Sequence, residues 1–224
     1  GGDVMNFEMA CEMVKSEGIE TKMIIVSDDI ASASNEDKLK RRGIAGLIFA
    51  FKIAGASSEN GASLEEVYNL TLKANNNLRT IGVAVSSCIL PEVGKPTFEL
   101  ENDEIEIGMG IHGEPGIKRE KLRKADLLVD DLCKIIFEDF ELSNNNKVSI
   151  MINSLGATPL EELYIVSKRV NEIFSKKNIE IVKSYVGRYA TSLEMAGMSI
   201  TVIKLDNDLN KALSDLSECP FWIN

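Results

Sequence analysis

Nine consecutive residues, Gly108-Met109-Gly110-Ile111-His112-Gly113-Glu114-Pro115-Gly116, carry four glycines, one proline and the only histidine of the 224-residue chain. So many glycines let the backbone turn sharply, and they leave the imidazole without neighbouring Cβ atoms, so that a small molecule can approach it. Histidine, with an ordinary pKa of roughly 6.5, offers a neutral nucleophilic nitrogen near neutral pH. The run therefore reads as a reactive loop. Its competing reading is a plain glycine turn with a hydrogen-bonded structural histidine.

Gly108, Gly110 and Gly113 also spell the G-x-G-x-x-G of dinucleotide-binding folds. That fingerprint needs its last glycine to open a helix whose N-terminus receives a pyrophosphate. Here Glu114-Pro115-Gly116 forces a turn instead. The preceding Phe98 to Leu100 and Glu104 to Ile107, alternating around Glu101-Asn102-Asp103, predict a β-hairpin rather than a β-α-β unit. Nucleotide binding at these glycines is excluded on that ground.

A hydrophobic content of 44% over this length supports a real core. The formal charge of −10, from 35 acidic and 25 basic residues, repels a phosphate backbone, and no dense Lys/Arg cluster offsets it, so nucleic acid is not an expected partner. Cys11, Cys88, Cys133 and Cys219 show no metal-ligand spacing and are expected to be buried thiols in a reducing compartment. No apolar run approaches the roughly 20 residues that cross a bilayer, and no signal peptide precedes the first element, so a cytoplasmic protein without a membrane partner is expected. The start at Gly1-Gly2-Asp3, without methionine, suggests a piece of something longer.

In chain order, Val4 to Val14 predicts a helix ended by Glu17-Gly18, with Asp3 as its N-cap. Thr21 to Val26 predicts a buried strand ending in Ser27-Asp28-Asp29. Ala31 to Arg42 predicts a surface loop with Arg41-Arg42 as a solvated pair. Ile44 to Ala56 predicts an apolar helix. Ser63 and Glu66 form a capping box for another helix that runs to about Asn75. A domain boundary is placed there, giving residues 1–78 and 79–224, because two helices give way to the strand Ile81 to Val85. Ala125 to Phe140 predicts a helix, Val148 to Ile152 a strand, and Thr158-Pro159-Leu160-Glu161 a capped helix start. Strands at Ile179 to Val186 and Ser199 to Leu205 and a helix at Asn207 to Leu216 complete an α/β architecture, with a mixed sheet in the second part.

Five separated stretches point one way: Gly2 to Phe7 (GDVMNF), Arg41 to Gly46 (RRGIAG), Pro91 to Pro96, Gly108 to Gly116 (GIHGEPG at its core), and Asn153 to Leu160 (NSLGATPL). Together they closely resemble the substrate-binding subunit of dihydroxyacetone kinase, over essentially the whole chain. The resemblance implies a two-domain α/β fold, here with an incomplete first domain, and a homodimer. It implies dihydroxyacetone held as a covalent hemiaminal on the histidine that matches His112, and a general base that matches Asp3. Gly2 and Gly110 would join them in lining the substrate. A neutral imidazole adds to a carbonyl carbon but not to an alcohol, so such a site selects short ketones over polyols by chemistry.

The resemblance also implies an upstream Gly-Ser-Gly-His-Glu-Pro motif and a lysine that are absent here, so the chain resembles roughly the C-terminal two-thirds of a subunit. The isolated chain is expected to be inactive. No G-x-x-x-x-G-K-[ST] occurs, so no cofactor or metal is expected on this chain. The resemblance places ADP or ATP with magnesium on a separate helical kinase subunit, in the type that depends on the phosphotransferase system. The alternative is a related, non-catalytic co-activator that senses the same triose and controls a transcription regulator.

Overall fold

The structure, a computed structural model, describes residues 2–220 and 222–223. A six-stranded sheet has the order β3-β2-β1-β6-β4-β5, built from β1 (Leu78–Ala84), β2 (Glu104–Ile107), β3 (Lys118–Lys121), β4 (Lys147–Ser154), β5 (Glu180–Gly187) and β6 (Gly197–Leu205). Every neighbouring pair is antiparallel except β4 with β5, so the sheet is mixed, as expected.

The central strands are buried on both faces, which is why β4 and β6 read as nearly continuous apolar runs. Their side chains alternate. Ile150, Ile152, Ile200 and Val202 meet Leu132, Ile136, Leu163, Val170 and Phe174 of helices α4 (Ala125–Asp139) and α5 (Leu160–Lys176). Met151, Ile203 and Leu205 meet Phe49, Ile53, Ala74 and Leu209 of α2 (Leu47–Glu59), α3 (Leu64–Asn76) and α6 (Asn207–Ser214). The result is three layers. Residues on both sides of position 78 share this second core, so the change of composition there marks the step from covering helices to sheet. Helix α1 (Gly2–Ser16) buries none of its residues, and Met5, Phe7, Met9 and Met13 are exposed.

Side-chain capping holds at two helix starts. Ser63 and Glu66 form the expected capping box of α3, and the Asp206 carboxylate accepts from the Leu209 N–H (2.9 Å) at the start of α6. Several expectations need correction. Gly2 already lies in α1, so Asp3 sits in its first turn rather than at the N-cap. Pro159, not Thr158, is the N-cap of α5, because the Thr158 hydroxyl accepts from the Gly197 N–H (2.8 Å). The hairpin does not use residues 98–100; β2 pairs instead with the charged strand β3, whose sequence Lys-Arg-Glu-Lys carries no apolar signal. Residues 21–26 form no strand. Cys88 and Cys133 are buried, but Cys11 is half-buried and Cys219 exposed.

Arg41 is not solvated either. Its Nε donates to the Ala33 carbonyl (2.9 Å) and its Nη atoms pair with both oxygens of Asp139. Arg79 Nε donates to the same carboxylate (2.5 Å), while its Nη1 donates to the carbonyls of Asn76 and Leu78. All three side chains are largely buried. Burial alone would raise the Asp139 pKa, but hydrogen bonding and attraction from Arg41 and Arg79 outweigh it and hold it below 3.8. Its contribution to stability is thus complete above the ordinary carboxylate range and lost as pH falls through the lower folded value. Asp139→Ala strands two buried guanidinium groups and is expected to destabilise the fold by about 3–5 kcal/mol in urea unfolding; a loss within 0.5 kcal/mol, as at ordinary surface sites, would contradict this account.

Candidate functional site

The histidine run is the connection of the β2–β3 hairpin. Ile107 pairs with Val83 of β1 on one side and with Lys118 of β3 on the other, so residues 108–117 leave the sheet directly beside β1. The Gly108 N–H donates to the Gly82 carbonyl (2.7 Å) in a left-handed conformation, φ +79°, where a Cβ would also strike Ala31. Inside the loop the Gly110 N–H donates to the Glu114 carbonyl and the Gly113 N–H to the Gly110 carbonyl, both at 3.0 Å. The far end is pinned by Glu106, a buried β2 carboxylate that accepts from the Gly116 N–H (2.6 Å) and from Arg119 Nε (2.9 Å).

A small apolar cluster supports the loop: Met109 is buried against Ala84, Cys88, Leu155 and Met195, and Ile111 packs on the same group. With its neighbours turned down, His112 stands out, its side chain 73% exposed. No helix follows the third glycine, in agreement with the rejection of a dinucleotide site.

Charged groups brace the loop from outside it. Arg42 Nε donates to Asp29 Oδ2 (2.8 Å), its Nη2 donates to the Gly108 carbonyl (3.1 Å), and its Nη1 lies 3.9 Å from Glu114 Oε2. Glu114 Oε2 accepts from the His112 N–H (3.0 Å), and Oε1 lies 3.4 Å from His112 Nδ1. Partial burial would raise the Glu114 pKa; backbone N–H donors, including that of His112, and Arg42 outweigh this and keep it below its ordinary value. Beneath Arg42, Asp28 and Asp29 flank β1: the Thr80 N–H donates to the Asp28 carbonyl (2.7 Å) and the Ile30 N–H to the Thr80 carbonyl (3.1 Å). The Asp28 carboxylate accepts from the N–H groups of Ile44 and Gly46 just before α2.

Loop residues Gly110 and His112 therefore stand together. Gly2 and Asp3 lie on exposed α1, and no hydrogen bond or ion pair joins Asp3 to His112 among the described residues. Sequence reasoning missed Asp29, Arg42 and Glu114 as parts of the site. Arg42 and Glu114 lie inside recognised stretches, whereas Asp29 lies outside all of them and carried no signal of its own. Among the described residues no group of three or more His, Cys, Asp or Glu could hold a metal ion.

Burial raises the Asp29 carboxyl to about 6 against the pull of Arg42. Between 3.8 and about 6 the folded chain keeps a proton that the unfolded chain has lost, so stability falls as pH rises through that window. The shift corresponds to roughly 3 kcal/mol. Urea unfolding across this pH range should show the decline in the parent chain and a flatter profile in Asp29→Asn. Parallel profiles would refute the assignment.

A family model described as the Dak1 domain matches residues 1–221. The chain is 45% identical over 207 residues to the dihydroxyacetone-binding subunit DhaK of a PTS-dependent dihydroxyacetone kinase from Listeria innocua, covering 92% of this chain and 63% of that one. It thus spans just under two thirds of that relative. Among solved structures, the native dihydroxyacetone kinase of C. freundii superimposes with a TM-score of 0.89 at 32% identity, over 99% of this chain and 40% of that one. The dihydroxyacetone kinase operon co-activator Dha-DhaQ gives 0.84 at 29% identity, over 96% and 66%.

Proposed function

The chain belongs to the Dak1 domain family, and from that premise we propose that it is the dihydroxyacetone-binding part of a dihydroxyacetone kinase, with His112 as the covalent anchor. The observation that carries this reading is the exposed imidazole of His112, raised on a glycine-turned loop whose apolar residues are buried beneath it. A nucleophilic ring nitrogen presented in this way can add to the carbonyl of a short ketose and hold it as a hemiaminal. Holding the triose rigidly leaves only the terminal hydroxyl to be deprotonated and phosphorylated, so positioning supplies much of the rate. Asp3 is assigned the role of base, and Gly2 lies beside it. The phosphoryl group is supplied by a separate helical subunit that carries ADP or ATP with magnesium, and the binding subunit works as a homodimer.

Incubation of the full-length protein with dihydroxyacetone should give an added triose mass that vanishes in His112→Ala and on dilution. An adduct that persists in that variant would remove His112 from the role. Asp3→Asn eliminates the proton acceptor while keeping the fold. With the helical subunit and its phosphoryl donor present, turnover should drop by about 100-fold or more while the adduct survives; turnover near that of the parent would exclude Asp3 as base. The structural likeness to a co-activator favours one other reading, a triose sensor, which would form the adduct and never yield dihydroxyacetone phosphate.

A further inference from the structure

We propose that Glu114, braced by Arg42 on the buried Asp29, is the positioning residue of His112: it takes the Nδ1 hydrogen and leaves Nε2 as the nucleophile. This inference rests on the reading of His112 as the triose anchor. Which imidazole nitrogen carries hydrogen is decided by the partner of the other, and Glu114 Oε1 lies 3.4 Å from Nδ1. Such contacts are often long before substrate binds and tighten afterwards.

The carboxylate has little freedom to move elsewhere. Its other oxygen is held by the backbone N–H of His112 itself (3.0 Å), so the residue that presents the ring also fixes the group that orients it. Arg42 approaches the same oxygen from the side and is in turn fixed by Asp29 and by the Gly108 carbonyl. Gly110 acquires a reason here. A Cβ at that position would collide with Glu114 Oε2 and Arg42 Nη1, so only glycine lets the carboxylate and the guanidinium converge over the loop. Glu114 thus comes from the ring's own loop, Arg42 from the segment before α2, and Asp29 lies behind Arg42.

The chemistry balances. As Nε2 forms its bond to the carbonyl carbon, the C=O π pair moves to oxygen, which takes a proton from water. The ring, momentarily cationic, loses its Nδ1 proton to Glu114, which returns it to the hydroxide left behind. The net change is addition of N–H across the carbonyl, with no oxidant or reductant involved. An ionised carboxylate at Nδ1 favours this step twice, by orienting the lone pair and by stabilising the transient positive charge.

The chain holds one histidine, so labelling histidine with 15N gives a single pair of ring signals that report its tautomer. In mildly alkaline buffer the parent chain should show mainly the Nδ1–H form. Glu114→Ala should move the signals toward the Nε2–H form that free imidazole prefers, and Glu114→Asp should restore part of the parent pattern. In the full-length protein the rate of triose adduct formation should fall by about 10- to 100-fold in Glu114→Ala, the range found when outer partners of metal-bound histidines are removed, and recover in part in Glu114→Asp. Identical tautomer populations in parent and Glu114→Ala, or identical adduct rates, would overturn the proposal. If the parent forms no adduct that depends on His112, the functional reading fails. The ring signals still decide on their own whether Glu114 orients the histidine.

Discussion

The loop end of the molecule depends on how the edge of β1 is shared. Strand β2 pairs with β1 only at Val83 and Ala84, because it is four residues long and its continuation is the glycine run. The edge below would expose unpaired backbone groups. It is covered instead by residues 28–30, which exchange hydrogen bonds with Thr80. One strand thus receives the histidine loop on its upper half and the Asp28-Asp29 segment on its lower half. That places Asp29 where Arg42 can bridge to Gly108 and Glu114.

Two charge clusters serve different ends of the same sheet. Arg41 and Arg79 close on Asp139 near the start of β1, where carbonyls of Ala33, Asn76 and Leu78 absorb the remaining donors, and the outcome is a buried fastener between loop, sheet and α4. Arg42, the next residue along the chain, points to the other end and is partly open to solvent. The adjacent arginines of the RRGIAG stretch therefore do unlike work. A buried ion pair is costly to break from one side, whereas Arg42 and Glu114 keep a solvent-facing side toward His112.

The loop succeeds as a presenting device because its apolar and polar residues are sorted by the turn. Met109 and Ile111 go down onto Ala84, Cys88, Leu155 and Met195, and this cluster is itself assembled from the ends of β1, β4 and the segment before β6. The Asn153 side chain strengthens that end by accepting from the N–H groups of Tyr189 and Ala190 and donating to the Ala190 carbonyl, tying the end of β4 to the turn after β5. Thus two of the recognised stretches, GIHGEPG and NSLGATPL, meet through packing at one end of the sheet.

Most elements were legible in the sequence because their signals are local: the capping box at Ser63, the apolar runs of β4 and β6, the amphipathic stretches of α4 and α5, and the glycine density around His112. What tertiary structure alone decided is pairing between distant segments. The charged β3 is a strand only because β2 offers it an edge, and residues 21–26 stay unpaired because β1 gives them too little of one. Arg41 and Arg42 look alike as letters, and only the positions of Asp139 and Asp29, 98 and 13 residues away, make one a buried fastener and the other a brace for the histidine loop. Composition can announce a charge, but the partner that determines its energy is supplied by the fold.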